Sequence, residues 1–263
     1  MRREKLKSKE KKIRFESGDG LKLHGTLSTP KHVRGLLLCV HGITSDRDEW
    51  GIFERVAEAA VEKELATLRI DFRGHGESLL EEDQITLAGI VSDVVAAWSE
   101  LESVGAGSRH LKRFIMGSSF GGGASYAAAG RIGSIDRVFL LAPVLDYLLD
   151  IDNCAPKWRA DLKRKNHFRY NDLKLGRALL NEAFYFDPLA GPKVKATIFH
   201  GTADADVPFK LSQAAAARHR HLELVPVEGA GHVLAVPDDL DMEQEASWEI
   251  VAGMIDDVRR RIR

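Results

Sequence analysis

The chain has 263 residues, of which 44% are hydrophobic and 29% are charged, as is usual for a globular protein. This length favours one large domain, or one domain with an insertion, with a core that needs no disulfide or metal. The 38 Lys and Arg residues nearly balance the 39 Asp and Glu residues, giving a formal net charge of −1. The overall charge therefore gives no reason to expect a nucleic-acid or anionic-membrane partner. The longest apolar run, residues 36–40, is far shorter than the roughly 20 residues that span a bilayer.

The two cysteines, Cys39 and Cys154, are too few for a disulfide framework or a metal site made of cysteines. Cys39 lies within the apolar run 36–40, which predicts a small hydrophobic core residue. The first twelve residues are basic, but no apolar segment follows them, as it would in a secretory signal. We therefore expect a basic, solvated tail over residues 1–12 and a cytoplasmic protein.

Short apolar runs and longer amphipathic segments alternate along the rest of the chain. Residues 13–16 and 21–27 predict an antiparallel pair of strands, with a turn at residues 17–20. Buried strands are predicted next at residues 36–40, 65–70, 111–116, 138–141, 194–199 and 222–227. Helices are predicted at residues 50–63, 84–103, 120–129 and 239–261. This pattern predicts an α/β fold: a mostly parallel, eight-stranded sheet with helices on both faces.

The segment between Pro143 and Pro188 interrupts this alternation. It is polar, aromatic and basic, and a structureless loop of that length is uncommon within a compact domain. We expect a small cap over residues 144–187, helical at 156–165 and 172–182, inserted into a core of residues 13–143 and 188–263. Its aromatic residues either line an acyl pocket or attach the cap to the core: Trp158, Phe168, Tyr170, Phe184, Tyr185 and Phe186.

A candidate nucleophile follows the predicted strand 111–116. Residues 117–121 read Gly-Ser-Ser-Phe-Gly, and a G-x-S-x-G sequence between a strand and a helix forms a sharp turn that exposes the central serine hydroxyl. Glycines on both sides allow the backbone segments to approach closely. The N–H groups at the start of the following helix point towards developing negative charge. The pattern predicts Ser119 as a nucleophile.

A serine hydroxyl requires a general base to become nucleophilic at neutral pH. The best candidate is His232, which follows the last predicted strand within the glycine-rich sequence Glu-Gly-Ala-Gly-His. A histidine in such a loop can turn its ring towards the serine. His219 and His221 are expected to be solvated, and His24 is expected to be structural.

The base in turn requires a carboxylate that orients it. Asp204 is the first choice, because it follows the predicted strand 194–199. Asp206 is the nearest alternative, although Val207 and Pro208 after it favour a role in a local turn. Asp146, which follows an earlier strand, is the third candidate.

Two backbone N–H groups are expected to form an oxyanion hole. The first belongs to Phe120, the residue after the nucleophile. The second belongs to Ile43, in the sequence His41-Gly42-Ile43-Thr44-Ser45 after the strand 36–40. We expect His41 to hold this loop by hydrogen bonds rather than to act as a base. Loss of one such donor typically lowers the rate by about 10²–10³.

These motifs, together with Asp-Phe-Arg-Gly-His-Gly-Glu-Ser at residues 71–78, resemble the α/β-hydrolase superfamily over nearly the whole chain after the tail. The order Ser119, Asp204, His232 is that of the superfamily. Within it, the chain resembles the branch that contains monoglyceride lipases, serine aminopeptidase-like hydrolases and, most closely, cinnamoyl and feruloyl esterases. Ser118 departs from that pattern, since these esterases often have a histidine there.

The resemblance implies the α/β-hydrolase fold and a serine hydrolase that cleaves carboxylic esters through an acyl-enzyme on Ser119. Short-chain or hydroxycinnamate esters are the expected small-molecule partners, with no cofactor and no metal. In this branch the segment at residues 71–78 is usually structural, which implies a structural His75. The sequence leaves a homodimer open.

Two other functions are open. An aminopeptidase-type serine peptidase would use the same three residues and would need a carboxylate for the amino terminus of its substrate; Glu182 and Asp187 are the candidates. A non-catalytic, ligand-binding relative would have lost part of the catalytic motifs, and no such loss is seen in this sequence.

Overall fold

An eight-stranded sheet forms the centre of the structure, a computed structural model that describes residues 9–105, 110–191, 193–236, 239 and 242–262. The strands in these residues are β1 (Lys9–Glu16), β2 (Lys22–Thr29), β3 (Gly35–Val40), β4 (Leu65–Asp71), β5 (Lys112–Ser118), β6 (Arg137–Leu141), β7 (His167–Tyr170), β8 (Leu173–Gly176), β9 (Ala196–Gly201) and β10 (Leu222–Val227). The sheet order is β1-β2-β4-β3-β5-β6-β9-β10. In this sheet β4, β3, β5, β6, β9 and β10 are parallel to one another, whereas β2 is antiparallel to both β1 and β4. Strands β7 and β8 form a separate antiparallel pair.

The helices are α1 (Ile52–Glu62), α2 (Leu87–Val104), α3 (Ser119–Ile132), α4 (Tyr147–Cys154), α5 (Trp158–Arg164), α6 (Arg177–Ala183), α7 (Phe209–Arg218) and α8 (Glu245–Arg261). The helices outside the cap cover both faces of the sheet, because alternate residues of a strand point to opposite sides. Leu36 and Leu38 of β3 belong to the apolar cluster that contains α2 and α3. Leu37 and Cys39 belong to the cluster that contains α1 and α8. The predicted fold class is confirmed.

The first strand is longer than predicted. β1 begins at Lys9, so the tail prediction is wrong for residues 9–12; residues 1–8 lie outside the described residues. Lys9–Lys12 is exposed throughout, so it lacks the apolar alternation that reveals a half-buried strand. Backbone pairing holds it in the sheet, with Lys9 opposite Thr29.

Outside the cap, α2 and α8 begin furthest from their predicted first residues, 84 and 239. α2 begins at Leu87 because the Thr86 side chain accepts a hydrogen bond from the Gly89 N–H and caps the helix. The preceding residues, Glu82–Gln84, form a separate 3₁₀ turn. α8 begins at Glu245, not at residue 239. No helix in the described part of the chain is both long and apolar enough to cross a bilayer.

The cap contains more regular structure than predicted. The helix α4 precedes the predicted first helix, and residues 173–176 form a strand that pairs with β7, so the predicted helix 172–182 is wrong over its first part. Asn171 has a φ of 49°, a turn conformation that asparagine tolerates. Of the cap aromatics, Trp158, Phe168 and Tyr170 are buried, whereas Phe184 and Tyr185 are exposed.

Candidate active site

Ser119 lies at the sharp turn between β5 and α3, as predicted. Its backbone has a φ of 48°, which is uncommon for a residue with a side chain and occurs at functional sites. A Cβ at Gly121 would stand 2.0 Å from the His41 carbonyl oxygen, and one at Gly117 would stand 2.6 Å from the Ser125 hydroxyl. The turn therefore requires both glycines of the motif.

The structure brings together Ser119, His232 and Asp204. The distance from the Ser119 Oγ to the His232 Nε2 is 2.9 Å, and that from the His232 Nδ1 to the Asp204 Oδ2 is 2.8 Å. Both contacts are satisfied when Nδ1–H donates to the carboxylate and the serine hydroxyl donates to Nε2. His232 follows β10 and Asp204 follows β9, so all three side chains lie at the carboxyl ends of parallel strands. Ligand sites of open α/β sheets lie at this edge.

Asp204 is fixed on both of its oxygens. Its Oδ1 accepts hydrogen bonds from the N–H groups of Asp206 at 3.0 Å and Val207 at 2.9 Å, and its Oδ2 faces His232. Burial raises the pKa of Asp204, but the close approach of the His200 ring and the hydrogen bond and charge of His232 outweigh burial and bring the pKa well below its ordinary value. Asp204 is therefore ionised at neutral pH and can stabilise an imidazolium.

The other two carboxylate candidates are placed differently. Asp206 lies in the wall of the cavity in front of Ser119, and no hydrogen bond joins it to His232 within the described residues. Asp146 accepts a hydrogen bond from the Leu149 N–H and caps α4. Of the three candidates, Asp204 alone contacts the predicted base in the part of the chain that the structure describes.

The carboxylates around His232 alter its pKa. Burial alone lowers the pKa of His232, but the hydrogen bond and charge of Asp204, followed by the charges of Asp206 and Glu49, outweigh burial and raise it above the ordinary histidine value of 6.5. A more basic ring removes the proton from a serine hydroxyl more readily.

His41 holds the loop after β3, as expected. Its Nδ1–H donates to the Gly42 carbonyl at 2.6 Å, and its Nε2 accepts from the Phe72 N–H at 3.4 Å. The ring also stacks on Phe72, with 4.1 Å between centroids. Burial lowers the pKa of His41 well below its usual value, so the ring stays neutral and keeps this pair of contacts.

The predicted oxyanion donors belong to Phe120, which follows Ser119 in the chain, and to Ile43, which lines the cavity in front of Ser119. Neither the Ile43 N–H nor the Phe120 N–H forms a hydrogen bond within the described residues. A Cβ at Gly42 would stand 3.2 Å from the Ser119 Cβ, which shows how closely this loop approaches the serine. The Gly42 carbonyl is turned towards His41, and in a planar trans peptide the following N–H, that of Ile43, points the opposite way.

A cavity of about 260 Å³ opens in front of Ser119. The core lines it with the loop 42–45, Glu49, Trp50 and His232, and the cap lines it with Asp150, Cys154 and Tyr170. Two larger clefts lie at the opposite edge of the sheet, where the parallel strands begin. Neither contains Ser119, so the cavity under the cap is the candidate binding site.

Three buried polar residues near the site were not predicted from the sequence. Asp150 is 4% exposed, and its Oδ2 accepts from the Tyr170 hydroxyl at 2.7 Å; burial raises the pKa of Asp150 to about 7. Glu49 lies beside Gly42. His200 donates from Nε2 to the Val207 carbonyl at 2.9 Å and lies 3.2 Å from the Asp204 Oδ2. His200 is the first residue of the His-Gly-Thr-Ala-Asp motif, so its spacing from Asp204 could have indicated a place near the site. No sequence motif indicates Asp150 or Glu49.

The remaining candidates lie outside the cavity. Glu182 accepts from the Ala88 N–H at the start of α2, and Asp187 accepts from the Leu189 N–H. His24 lies 3.5 Å from Glu77 at the outer strands. His219 and His221 line a cleft at the opposite edge of the sheet.

One set of side chains at the site has the spacing of a metal-binding group. Asp204, Asp206 and His232 each offer one ligand atom, and these atoms lie within 4.8 Å of one another. The His232 Nδ1 and the Asp204 Oδ2 are already joined by a hydrogen bond. A cation would have to break this contact, so the geometry favours the hydrogen-bonded arrangement.

Comparisons with known proteins agree with this architecture. No curated protein sequence matches the chain. Est1E from Butyrivibrio proteoclasticus, solved with bound ferulic acid, is 21% identical and superposes with a TM-score of 0.74 over 94% of this chain and 99% of Est1E. The esterase Pf2001 from Pyrococcus furiosus is 19% identical, with a TM-score of 0.67 over 97% of this chain and 92% of that chain. The dienelactone hydrolase from Anabaena variabilis ATCC 29413 is 22% identical, with a TM-score of 0.61 over 95% of this chain and 96% of that chain.

At these identities the solved structures establish the fold alone. The family comparison goes further, because the model of the Hydrolase_4 family, described as serine aminopeptidase, S33, matches residues 31–188. That match spans β3 to the end of the cap and covers more than half of the chain. The chain is therefore a hydrolase with the α/β-hydrolase fold that belongs to the serine aminopeptidase S33 family.

Proposed function

We propose that this hydrolase is a carboxylesterase that uses Ser119 as nucleophile, His232 as general base and Asp204 as the group that orients His232. The observation that carries the proposal is the continuous series of hydrogen bonds from the Ser119 Oγ through His232 to the Asp204 Oδ2, at 2.9 and 2.8 Å. Ser119, the first residue of the series, lines a cavity that is partly covered by the cap. Hydrolases of this fold use such a series to activate a serine.

In the proposed reaction, the Ser119 Oγ attacks the ester carbonyl carbon while His232 Nε2 takes the hydroxyl proton. Asp204 stabilises the imidazolium, and the N–H groups of Ile43 and Phe120 donate to the oxyanion. Collapse of the tetrahedral intermediate breaks the bond to the alcohol, which receives its proton from His232, and leaves an acyl group on Ser119. Water then attacks the acyl carbon, His232 takes a proton from it, and the acid is released as the hydroxyl of Ser119 is restored.

We propose hydroxycinnamate esters as the substrates, on the following observations. The cap lines the cavity with two buried polar residues that are hydrogen-bonded to each other, Asp150 and Tyr170. Part of the remaining lining around Ser119 is apolar. Because the pKa of Asp150 is raised to about 7 by burial, its carboxyl group can donate to or accept from a phenolic hydroxyl near neutral pH. The similarity to Est1E, which was solved with ferulic acid, supports the same class.

The first test compares ester and amide turnover by the purified chain. We expect rapid hydrolysis of p-nitrophenyl acetate or butyrate and of methyl ferulate, and at most slow hydrolysis of aminoacyl p-nitroanilides. A fluorophosphonate probe should label Ser119, as identified by mass spectrometry of the labelled peptide. If neither ester turnover nor labelling is found, the chain is a ligand-binding relative and the proposal is wrong.

One observation favours the peptidase alternative. The cavity lining includes three carboxylates, Glu49, Asp150 and Asp206, and no Lys or Arg among the described residues. An acidic wall suits the ammonium group of an aminoacyl substrate. Faster turnover of an aminoacyl p-nitroanilide than of the corresponding aryl ester would establish this function instead.

The substrate class can be tested at Asp150. Asp150→Ala removes the acceptor of the Tyr170 hydroxyl, and we expect kcat/KM for methyl p-coumarate to fall about tenfold, as for a lost buried hydrogen bond of roughly 1–2 kcal/mol. Hydrolysis of methyl cinnamate, which lacks the hydroxyl, should change by less than about twofold.

The matched control is Asp152→Ala, on the same helix. Asp152 contacts Trp158 and Arg159 and does not line the cavity, so neither substrate should be affected. Equal losses for the two esters in Asp150→Ala would show that Asp150 shapes the cavity without recognising a hydroxyl.

A further inference from the structure

Glu49 is a buried carboxylate for which the proposed reaction has no direct use. Its exposed fraction is 1%, and no Lys or Arg pairs with it in the part of the chain that the structure describes. Burying an ionisable group without a cation is unfavourable, and burial raises the pKa of Glu49. The fold therefore tolerates a costly side chain within the wall of the candidate active site.

The backbone that carries Glu49 is strained. Glu49 and Trp50 have φ values of 45° and 55°, and Gly51 follows with 86°. Two consecutive residues with side chains rarely adopt this left-handed conformation. Hydrogen bonds from the Glu49 N–H to the Asp46 carbonyl and from the Gly51 N–H to the Asp48 carbonyl close the turn. The turn directs the Glu49 side chain back to the loop that follows β3.

The target of that side chain is the amide of Gly42. The Glu49 Oε2 accepts from the Gly42 N–H at 2.9 Å. The Gly42 carbonyl accepts from His41, and the Ile43 carbonyl accepts from the His75 Nε2 at 2.5 Å. Three of the four polar backbone groups of Gly42 and Ile43 are thus held by buried side chains. The fourth, the Ile43 N–H, forms no hydrogen bond within the described residues and points away from the Gly42 carbonyl that faces His41.

We propose that Glu49 is a positioning residue: by holding the Gly42 amide, it fixes the peptide whose Ile43 N–H donates to the oxyanion. The inference rests on the proposed function, because it assigns Glu49 to the reaction of Ser119. Glu49 needs its acceptor oxygen and its reach for this role, and it does not need its negative charge.

Two variants distinguish the effect of the length of the Glu49 side chain from the effect of its charge. Glu49→Gln keeps the length of the side chain and an acceptor oxygen but loses the charge, so we expect kcat within about threefold of the wild type. Glu49→Asp keeps the charge but is one methylene shorter, so it cannot hold Gly42. We expect kcat to fall about 10- to 100-fold, a part of the 10²–10³ that loss of a whole donor costs, with KM nearly unchanged. Glu58→Gln, at an exposed position of α1, is the control and should behave as the wild type.

A trifluoromethyl ketone adds a readout that is specific to the oxyanion, because its adduct with a serine carries a negatively charged oxygen. Its affinity should fall in Glu49→Asp by the same factor as kcat, while the affinity for the product acid stays constant. Equal losses in Glu49→Asp and Glu49→Gln, or no loss in either, would overturn the inference. A wild-type protein that neither hydrolyses esters nor binds the ketone would instead overturn the proposed function.

Discussion

Replacing Ser119 by alanine is expected to lower kcat for p-nitrophenyl butyrate by about 10⁴- to 10⁶-fold, as in serine hydrolases that lose their nucleophile. The Oγ of Ser119 is the atom that forms the acyl bond in the proposed reaction, and it lies 2.9 Å from the His232 Nε2. Without it, His232 and the two N–H donors can still assist the attack of water on a bound ester, which accounts for a small residual rate.

The Ser119→Ala protein should remain folded. The hydroxyl of Ser119 has one hydrogen-bond partner within the described residues, His232. Alanine meets the same steric limits as serine at a φ of 48°, so the turn is no more strained than before. The midpoint of thermal unfolding should therefore change by only a few degrees, and the circular dichroism spectrum should be unchanged.

The matched control for Ser119 is Ser125→Ala, six residues later on the same helix. Ser125 is fully buried and does not line the cavity, so its variant should keep nearly full activity and full labelling by a fluorophosphonate. Substantial turnover by Ser119→Ala, at a rate near that of Ser125→Ala, would exclude Ser119 as the nucleophile.

The sequence allowed the positions of Ser119, Asp204 and His232 at one edge of the sheet to be predicted, because each of their motifs is local. Ser119, Asp204 and His232 each follow a run of apolar residues, and parallel strands bring their carboxyl ends to one edge whatever the details of packing. The strands themselves were recognisable because β3, β4 and β9 are buried on both faces. No knowledge of tertiary contacts was needed for these predictions.

The errors and omissions depend on contacts between distant segments. Lys9–Lys12 is charged on both faces and joins the sheet through backbone pairing with β2, which side-chain periodicity does not report. Asp150 lies in the lining of the cavity beside Tyr170, which the hairpin of β7 and β8 brings from a later part of the chain. Glu49 is one of many acidic residues in the sequence. Its hydrogen bond to Gly42 depends on a left-handed turn at residues 49–51 that the residue pattern does not predict.

The structural prediction for His75 shows how motif and contact complement each other. The Asp-Phe-Arg-Gly-His-Gly segment suggested a structural residue, and the ring indeed lies between the Arg73 carbonyl at 3.1 Å and the Ile43 carbonyl at 2.5 Å. Gly76 is needed beside it, because a Cβ there would stand 2.3 Å from the Asp71 carboxyl group. The motif thus holds the loop after β3 through the Ile43 carbonyl, a role that is visible only once both segments are placed.

Replacing Asp204 by asparagine is the sharpest test of the proposed base. We expect kcat to fall by up to about 10⁴-fold, because an amide at this position stabilises the wrong tautomer of the histidine. The asparagine would no longer accept from the His232 Nδ1–H at 2.8 Å as a charged group does, and the ring would lose the counter-ion of its protonated state. The rate should be measured under saturating p-nitrophenyl butyrate, with folding monitored by thermal unfolding.

The pH profile provides a second, independent measure. His232 must be neutral to accept the serine proton, so kcat/KM should fall as the pH drops through the pKa of His232. Because Asp204 raises that pKa above 6.5, the midpoint of the acidic limb in the wild type should lie above pH 6.5. In Asp204→Asn it should move to lower pH, since the carboxylate that favours the imidazolium is gone.

Asp206→Asn is the matched comparison, because Asp206 is two residues from Asp204 in the chain and its charge also raises the pKa of His232. It forms no hydrogen bond with the ring in the described residues, so its variant should move the midpoint only slightly and keep kcat within about threefold. A large loss of kcat in Asp206→Asn and a small one in Asp204→Asn would reverse the assignment of the acid. Large losses in both would mean that the two carboxylates act on His232 as one unit, for which the double variant should be no worse than either single variant.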